Sequence, residues 1–191
     1  MDLHTAHPIH VDVTIERSKT KEVLRALLHA ILFHRLFGTI KPTTIEISEV
    51  TFPAVSDSDI ERLVVQKVDT FFRALEDQPS GENGIKGGQL LVTFSERRPK
   101  KHWFTMGEEE VPWEEWVINA SVHAPKHEHE RRAIQSTLPG SLTRILRTIL
   151  VRASSESGRQ CVPPIVTAGV VSPFPLRITV VVGGVSVGGV D

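Results

Sequence analysis

Few side chains in this sequence have the type and spacing for chemistry. His123, His127 and His129 fall within "HAPKHEHERR", and three imidazoles can bind zinc when their geometry converges. His127 and His129 stand two apart, however, and such residues do not share a helical face. Lys126, Glu128 and Glu130 mark this stretch as a solvated helix start, so no metal is expected. His4, His7 and His10, at the N-terminus and partly in a strand, give no stronger signal. Cys161 is the one cysteine. It precedes Val-Pro-Pro in an extended segment with no local base, and reads as a buried or edge thiol rather than a nucleophile. "QPSGENGIKGG" reads as a polar, glycine-rich loop, but it follows a helix instead of joining a strand to a helix, so it is not a phosphate cradle. There is no nucleophile elbow, P-loop, zinc-protease pattern or kinase motif set. The expectation is a protein without catalytic residues, metal or cofactor.

The chemistry that does stand out is recognition. All three tryptophans lie in "KKHWFTMGEEEVPWEEW", Lys100 to Trp116. Trp103 and Phe104 sit between a basic run (Arg97, Arg98, Lys100, Lys101) and an acidic one (Glu108, Glu109, Glu110), with no apolar periodicity around them. Leaving a large aromatic exposed forgoes about 2–3 kcal/mol of burial, against a total stability of about 5–15 kcal/mol. Either the loop folds back and buries both rings, as large aromatics usually are, or it projects and anchors an interface with a protein or a membrane. The polar neighbours favour projection. The basic run could serve phosphate binding or nuclear import, but the nearby glutamates cancel much of its field beyond a Debye length. Nucleic-acid binding is not expected.

Around this stretch the chain reads as one domain. It has 191 residues, 40% hydrophobic and 24% charged, with a formal net charge of -1, so any electrostatic partner site must be local. A single cysteine favours the cytosol or nucleus. "MDLHTAHPIHVDVTIE" lacks the pattern of a signal peptide. No stretch is long enough to span a membrane, and Asn119-Ala120-Ser121 is expected to be an idle sequon.

Two periods alternate along the chain. Ile9, Val11, Val13 and Ile15 alternate as a half-buried strand. Val23 to Leu36 recur at helical spacing up to Gly38, apolar over so much of the circumference that the helix must be central. Ile45, Ile47, Val50 and Phe52 suggest an extended segment with a bulge or corner. Ser58 to Glu61 fits a capping box, which opens an amphipathic helix through Leu75. Leu90, Val92 and Phe94 and then Trp116, Ile118, Ala120 and Val122 read as antiparallel neighbours joined by the Trp103-Phe104 loop. A third helix covers roughly Lys126 to Arg152, with a break or kink expected at Pro139-Gly140. "ASSESGRQ" reads as a loop, and Leu176 to Val182 as the last strand. The order implies an α+β fold, an antiparallel sheet with helices on one face.

The aromatic pair and the following "EEEVPWEEWVINASV" resemble the family of autophagy-related protein one-hundred-one, the small HORMA-domain subunit of the autophagy-initiation kinase complex. That family carries a Trp-Phe finger in this loop, then a Pro-Trp-Glu-x-Trp motif, here Pro112 to Trp116. "LLHAILFHR" and "SPFPLRITV" are similar to its N-terminal block and late strand entry. The resemblance implies a single HORMA domain over 1–182, a mainly antiparallel sheet backed by three helices, with a Gly-rich tail over 183–191. It also implies a non-catalytic adaptor in the cytoplasm and at the phagophore assembly site. Such a protein pairs with and stabilises the HORMA domain of the autophagy scaffold protein numbered thirteen. Carried over, the partner-binding residues are Trp103 and Phe104, which would recruit downstream autophagy factors, while Trp113 and Trp116 read as structural. Pro139-Gly140 interrupts what is usually a continuous third helix in the family. Two other readings compete: a peripheral membrane finger, with the basic run on anionic headgroups, and a peptide-binding HORMA module of checkpoint type.

Overall fold

Alternation in the sequence becomes strands wherever one face can be buried. The computed structural model describes residues 7–79, 84–101, 106–165 and 171–188. In it β1 (Ile9–Glu16), β4 (Ile85–Lys101), β5 (Met106–His123), β6 (Leu176–Val182) and β7 (Val185–Val187) form one sheet in the order β1-β5-β4-β6-β7. β1 runs parallel to β5, and every other pair is antiparallel. One face carries Val11, Val13, Ile15, Leu90, Val92, Ile118, Val180 and Val182, all buried. Against that core lie α1 (Thr20–Phe33), α2 (Ser58–Asp77) and α3 (Glu128–Ser154). This is the expected mixed α+β architecture, compatible with a HORMA domain.

α1 is the central helix, with ten of its 14 residues buried, and it packs against α2, α3 and the hairpin β2 (Pro42–Ile47) and β3 (Val50–Val55). α2 presents Ile60, Val64, Val68, Phe71 and Leu75 to the core. Its cap lies one residue before the expected box: Asp57, in extended backbone, accepts from Asp59 N and Ile60 N at 3.0 and 3.1 Å, satisfying two of the free donors of the first turn.

Several expectations need correction. Ile45 to Phe52 is no bulged segment but a separate two-stranded hairpin. Its turn is Ser48-Glu49, both at positive φ (48° and 66°), without the Asn-Gly that usually announces such a turn. α3 runs unbroken through Pro139. Leu138, Leu142, Ile145 and Ile149 form one buried stripe across the proline. Burying each of these side chains is worth about 1.5–3 kcal/mol, so together the four outweigh the roughly 3 kcal/mol a helical proline costs. "ASSESGRQ" contains a short helix, α4 (Glu156–Gln160), capped by Ser155, whose hydroxyl accepts from Gly158 N at 3.0 Å. Part of "QPSGENGIKGG" belongs to β4: Gly88 lies under the Phe71 ring, where a Cβ would come within 2.6 Å of ring carbon. Of the segment expected as a tail, Val185–Val187 pairs with β6. Gly183 and Gly184, at φ 64° and 78°, make the turn.

Candidate functional site: an anchored two-strand arm

β4 and β5 are longer than the sheet that holds them. β6 pairs with β4 only up to Phe94, and β1 with β5 only from Trp116. Beyond these limits β4 and β5 continue for seven rungs, from Ser95↔Pro112 to Lys101↔Met106, with no third strand among the described residues. At about 3.4 Å per residue they form an arm roughly 20 Å long. The expected antiparallel pair is therefore present, and the aromatic pair belongs to the chain segment that joins its strands. Trp103 and Phe104 themselves lie outside the described residues.

The arm pairs the basic run with the acidic one. Arg97 faces Glu110 and Arg98 faces Glu109 in the ladder. Lys100 Nζ lies 2.8 Å from Glu109 Oε2, Arg98 pairs with Glu96, and Arg177 from β6 reaches Glu110 at 3.5 Å. Exposed pairs of this kind contribute at most about 1 kcal/mol each. Their consequence is electrostatic: the local positive field of "RRPKK" is answered within the arm.

At the arm's base the register shifts. Phe94 pairs with Glu114, but Ser95 pairs with Pro112, so Trp113 is an extra residue in β5. A bulge re-aims side chains, and here the neighbours Trp113 and Glu114 are both buried, at 7% and 1% exposure. The Trp113 ring centre lies 5.5 Å from Phe94 and 5.3 Å from Phe174, which in turn lies 6.1 Å from half-exposed Phe37. The expected structural role of Trp113 and Trp116 agrees with this burial.

Glu114 is the hub of a buried charge network. Arg35, just past the end of α1, donates to both carboxylate oxygens, Nε to Oε1 at 2.7 Å and Nη2 to Oε2 at 2.8 Å. Trp116 Nε1 donates to Oε1 at 2.8 Å, and Arg152 Nε from α3 to Oε2 at 3.2 Å. Arg35 Nη2 also donates to the carbonyl of Gly158 in α4 at 3.2 Å. Burial by itself would raise the Glu114 carboxyl, but the Arg35 fork, the Trp116 N–H and Arg152 together hold it below its ordinary value. One carboxylate thus joins β5, the end of α1, α3 and α4. Arg35, Glu114 and Arg152 were missed by sequence reasoning. The signal for Glu114 was present: the inward alternation Trp116, Ile118, Ala120, Val122, carried two residues back, lands on it, and an inward carboxylate requires a cation.

The remaining candidates do not converge on a site. His123 lies on β5 with Nε2 3.1 Å from Ser121 Oγ, apart from the other two imidazoles. His127 and His129 stack, with ring centres 5.6 Å apart. The spacing of two permits this because His127 is the extended residue before α3, not a helical one. Cys161 Sγ lies 3.7 Å from Glu114 Oε2 and donates to Gly158 O at 3.3 Å. Burial, then the Glu114 charge, push its thiol pKa up, which disfavours the nucleophilic thiolate. Among the described residues no group of three or more His, Cys, Asp or Glu side chains is placed to hold a metal.

A family model described as Autophagy-related protein 101 matches residues 12–169. The chain is 30% identical over 188 residues to Autophagy-related protein 101 of Arabidopsis thaliana, a match that covers 87% of this chain and 84% of that protein. It is 26% identical over 147 residues to the Schizosaccharomyces pombe protein of the same name, covering 77% and 76%. Against the Homo sapiens protein it is 29% identical over 137 residues, covering 64% and 60%.

Proposed function

Because this chain belongs to the autophagy-related protein 101 family, we propose that it is a non-catalytic adaptor of autophagy initiation. In this reading it pairs with and stabilises the HORMA domain of the autophagy scaffold protein numbered thirteen. It recruits downstream factors through Trp103 and Phe104, in the cytoplasm and at the phagophore assembly site.

The observation that supports this reading best is the arm. A ladder that leaves the sheet and continues for seven rungs buries little of its own surface, so it adds length rather than core. Large aromatics are the usual anchors of protein interfaces because each buries much apolar area with few rotors. An aromatic pair at the join of such an arm suits a partner's pocket. The carboxylates opposite the basic run favour a protein surface over an anionic membrane. Among the described residues no helix is long and apolar enough to cross a membrane.

The test is capture from cell lysate with wild type and with Trp103→Ala/Phe104→Ala. Wild type should retain both the HORMA scaffold and further autophagy factors, while the variant keeps only the scaffold. A variant that loses the scaffold and its thermal stability together would place both rings in a structural role and overturn the recruiting loop.

A further inference from the structure

We propose that Arg35, Glu114 and Arg152 are positioning residues: their buried ion network sets the direction in which the β4–β5 arm leaves the sheet. This rests on the preceding reading only in giving that direction a use.

The arm leaves the sheet at the bulge, where Trp113 is inserted opposite Phe94 and Ser95. A two-stranded ribbon with no further neighbours can twist and bend at such a point. Besides the exposed Arg177–Glu110 pair to β6, the described residues place three contacts at the junction. The aromatic packing of Trp113 on Phe94 and Phe174 resists separation but tolerates sliding, since dispersion is weakly directional. Ser95 N donates to Pro175 O at 3.0 Å, a single tie on one strand. The Glu114 carboxylate is different. A bidentate guanidinium fork fixes both the plane and the distance of its partner, and Arg35 is itself fixed by Gly158 O. Arg152 adds a second cation from α3, on Oε2. Glu114 is the residue beside the bulged Trp113, so holding its carboxylate to α1, α3 and α4 holds the bulge to the helix layer.

The rest of the site agrees. Arg35 and Glu114 have side chains 4% and 1% exposed, so solvent neither screens nor competes for the fork. The Arg35 guanidinium also lies 5.9 Å from the Trp113 ring centre, joining the ionic and aromatic contacts in one unit. The arm's own ion pairs run within β4, between the two strands or to β6 and cannot orient it against the helices.

The experiment measures amide residual dipolar couplings of the full chain in a weakly aligning medium. In wild type, couplings of residues 96–98 and 107–111 should fit the same alignment tensor as β1, β6 and the sheet part of β5. In Arg35→Lys, which keeps the charge but loses the fork, and in Arg35→Met/Glu114→Leu, which removes both charges, the sheet should still fit while the arm loses the common fit. An arm that shares the sheet's tensor in both folded variants overturns the proposal, as does an arm that fails to share it in wild type. Should the double variant not fold, Arg35→Lys decides alone. A fall in melting temperature with unchanged arm couplings means a purely structural role and also overturns it. The couplings do not depend on any partner, and the Trp103→Ala/Phe104→Ala capture does not depend on Arg35, so the two proposals fail separately.

Discussion

Arg35 and Glu114, 79 residues apart in the chain, meet through two hydrogen bonds at 2.7 and 2.8 Å, both side chains buried. Breaking such a pair from one side strands a charge in the interior, whereas replacing both partners by apolar groups can be nearly neutral. Glu114→Ala should therefore cost about 3–5 kcal/mol. Arg35→Met/Glu114→Leu should cost clearly less than Glu114→Ala despite changing more atoms. Urea unfolding of the three proteins checks this, and a double variant as unstable as the single one would contradict it.

Acid should act in two stages. His29, inside α1, accepts from Val55 N on Nδ1 at 3.4 Å, and its Nε2 lies 3.0 Å from Glu61 Oε2. With Nδ1 accepting, Nε2 carries the proton, so the folded ring is neutral. Burial first, then Arg25, lower its pKa against the pull of Glu61; burial and then Arg35 lower that of His34. A histidine whose folded pKa is lowered contributes fully above its unfolded value of about 6.5 and loses that contribution as pH falls toward the folded value. Stability should begin to decline below about pH 6.5. Glu114, also lowered on folding, adds its loss only below the ordinary carboxylate range of about 4.3. In His29→Asn, which keeps an acceptor for Val55 N, the decline between pH 6.5 and 5 should be shallower. Chemical denaturation across pH reads the slope, and a rise in stability on mild acidification would contradict the argument.

Two glycines should respond in opposite directions. A Cβ on Gly158 would lie 1.7 Å from Arg152 O, a backbone atom with nowhere to go. Gly158→Ala should cost about 3 kcal/mol or more and disturb the carbonyl that Arg35 uses. Gly140, exposed within α3, has nothing within 4 Å of a built Cβ. Gly140→Ala should stabilise by about 0.5–1 kcal/mol. Melting curves of both variants are sufficient, and a destabilised Gly140→Ala would show a packing demand on that helix face.

The turn between β2 and β3 holds Ser48 and Glu49 at positive φ, which costs ordinary residues roughly 1–2 kcal/mol each. Ser48→Asn/Glu49→Gly should raise stability by about 1 kcal/mol. A lowered melting temperature would mean that one of the native side chains makes a contact worth more than the strain.

The sequence by itself determined what local periodicity can decide. Val11, Val13 and Ile15 could only be a strand with one buried face, and α1, apolar on most sides, could only be central. The same periods made β4 and β5 neighbours and made their join the place of Trp103 and Phe104. It left open what depends on residues far apart. Pro139 stays inside a helix because α3 has a buried stripe on both sides of it, a packing fact that local propensity cannot contain. The Ser48-Glu49 turn was invisible because its strain is borne by the hairpin's packing rather than relieved by its residue types. Glu114 looked like one more acid in "PWEEW". Only folding brings Arg35, Arg152 and Gly158 to it and inserts Trp113 as a bulge beside it. A buried charge is decided by its partners, and its partners are decided by the tertiary structure.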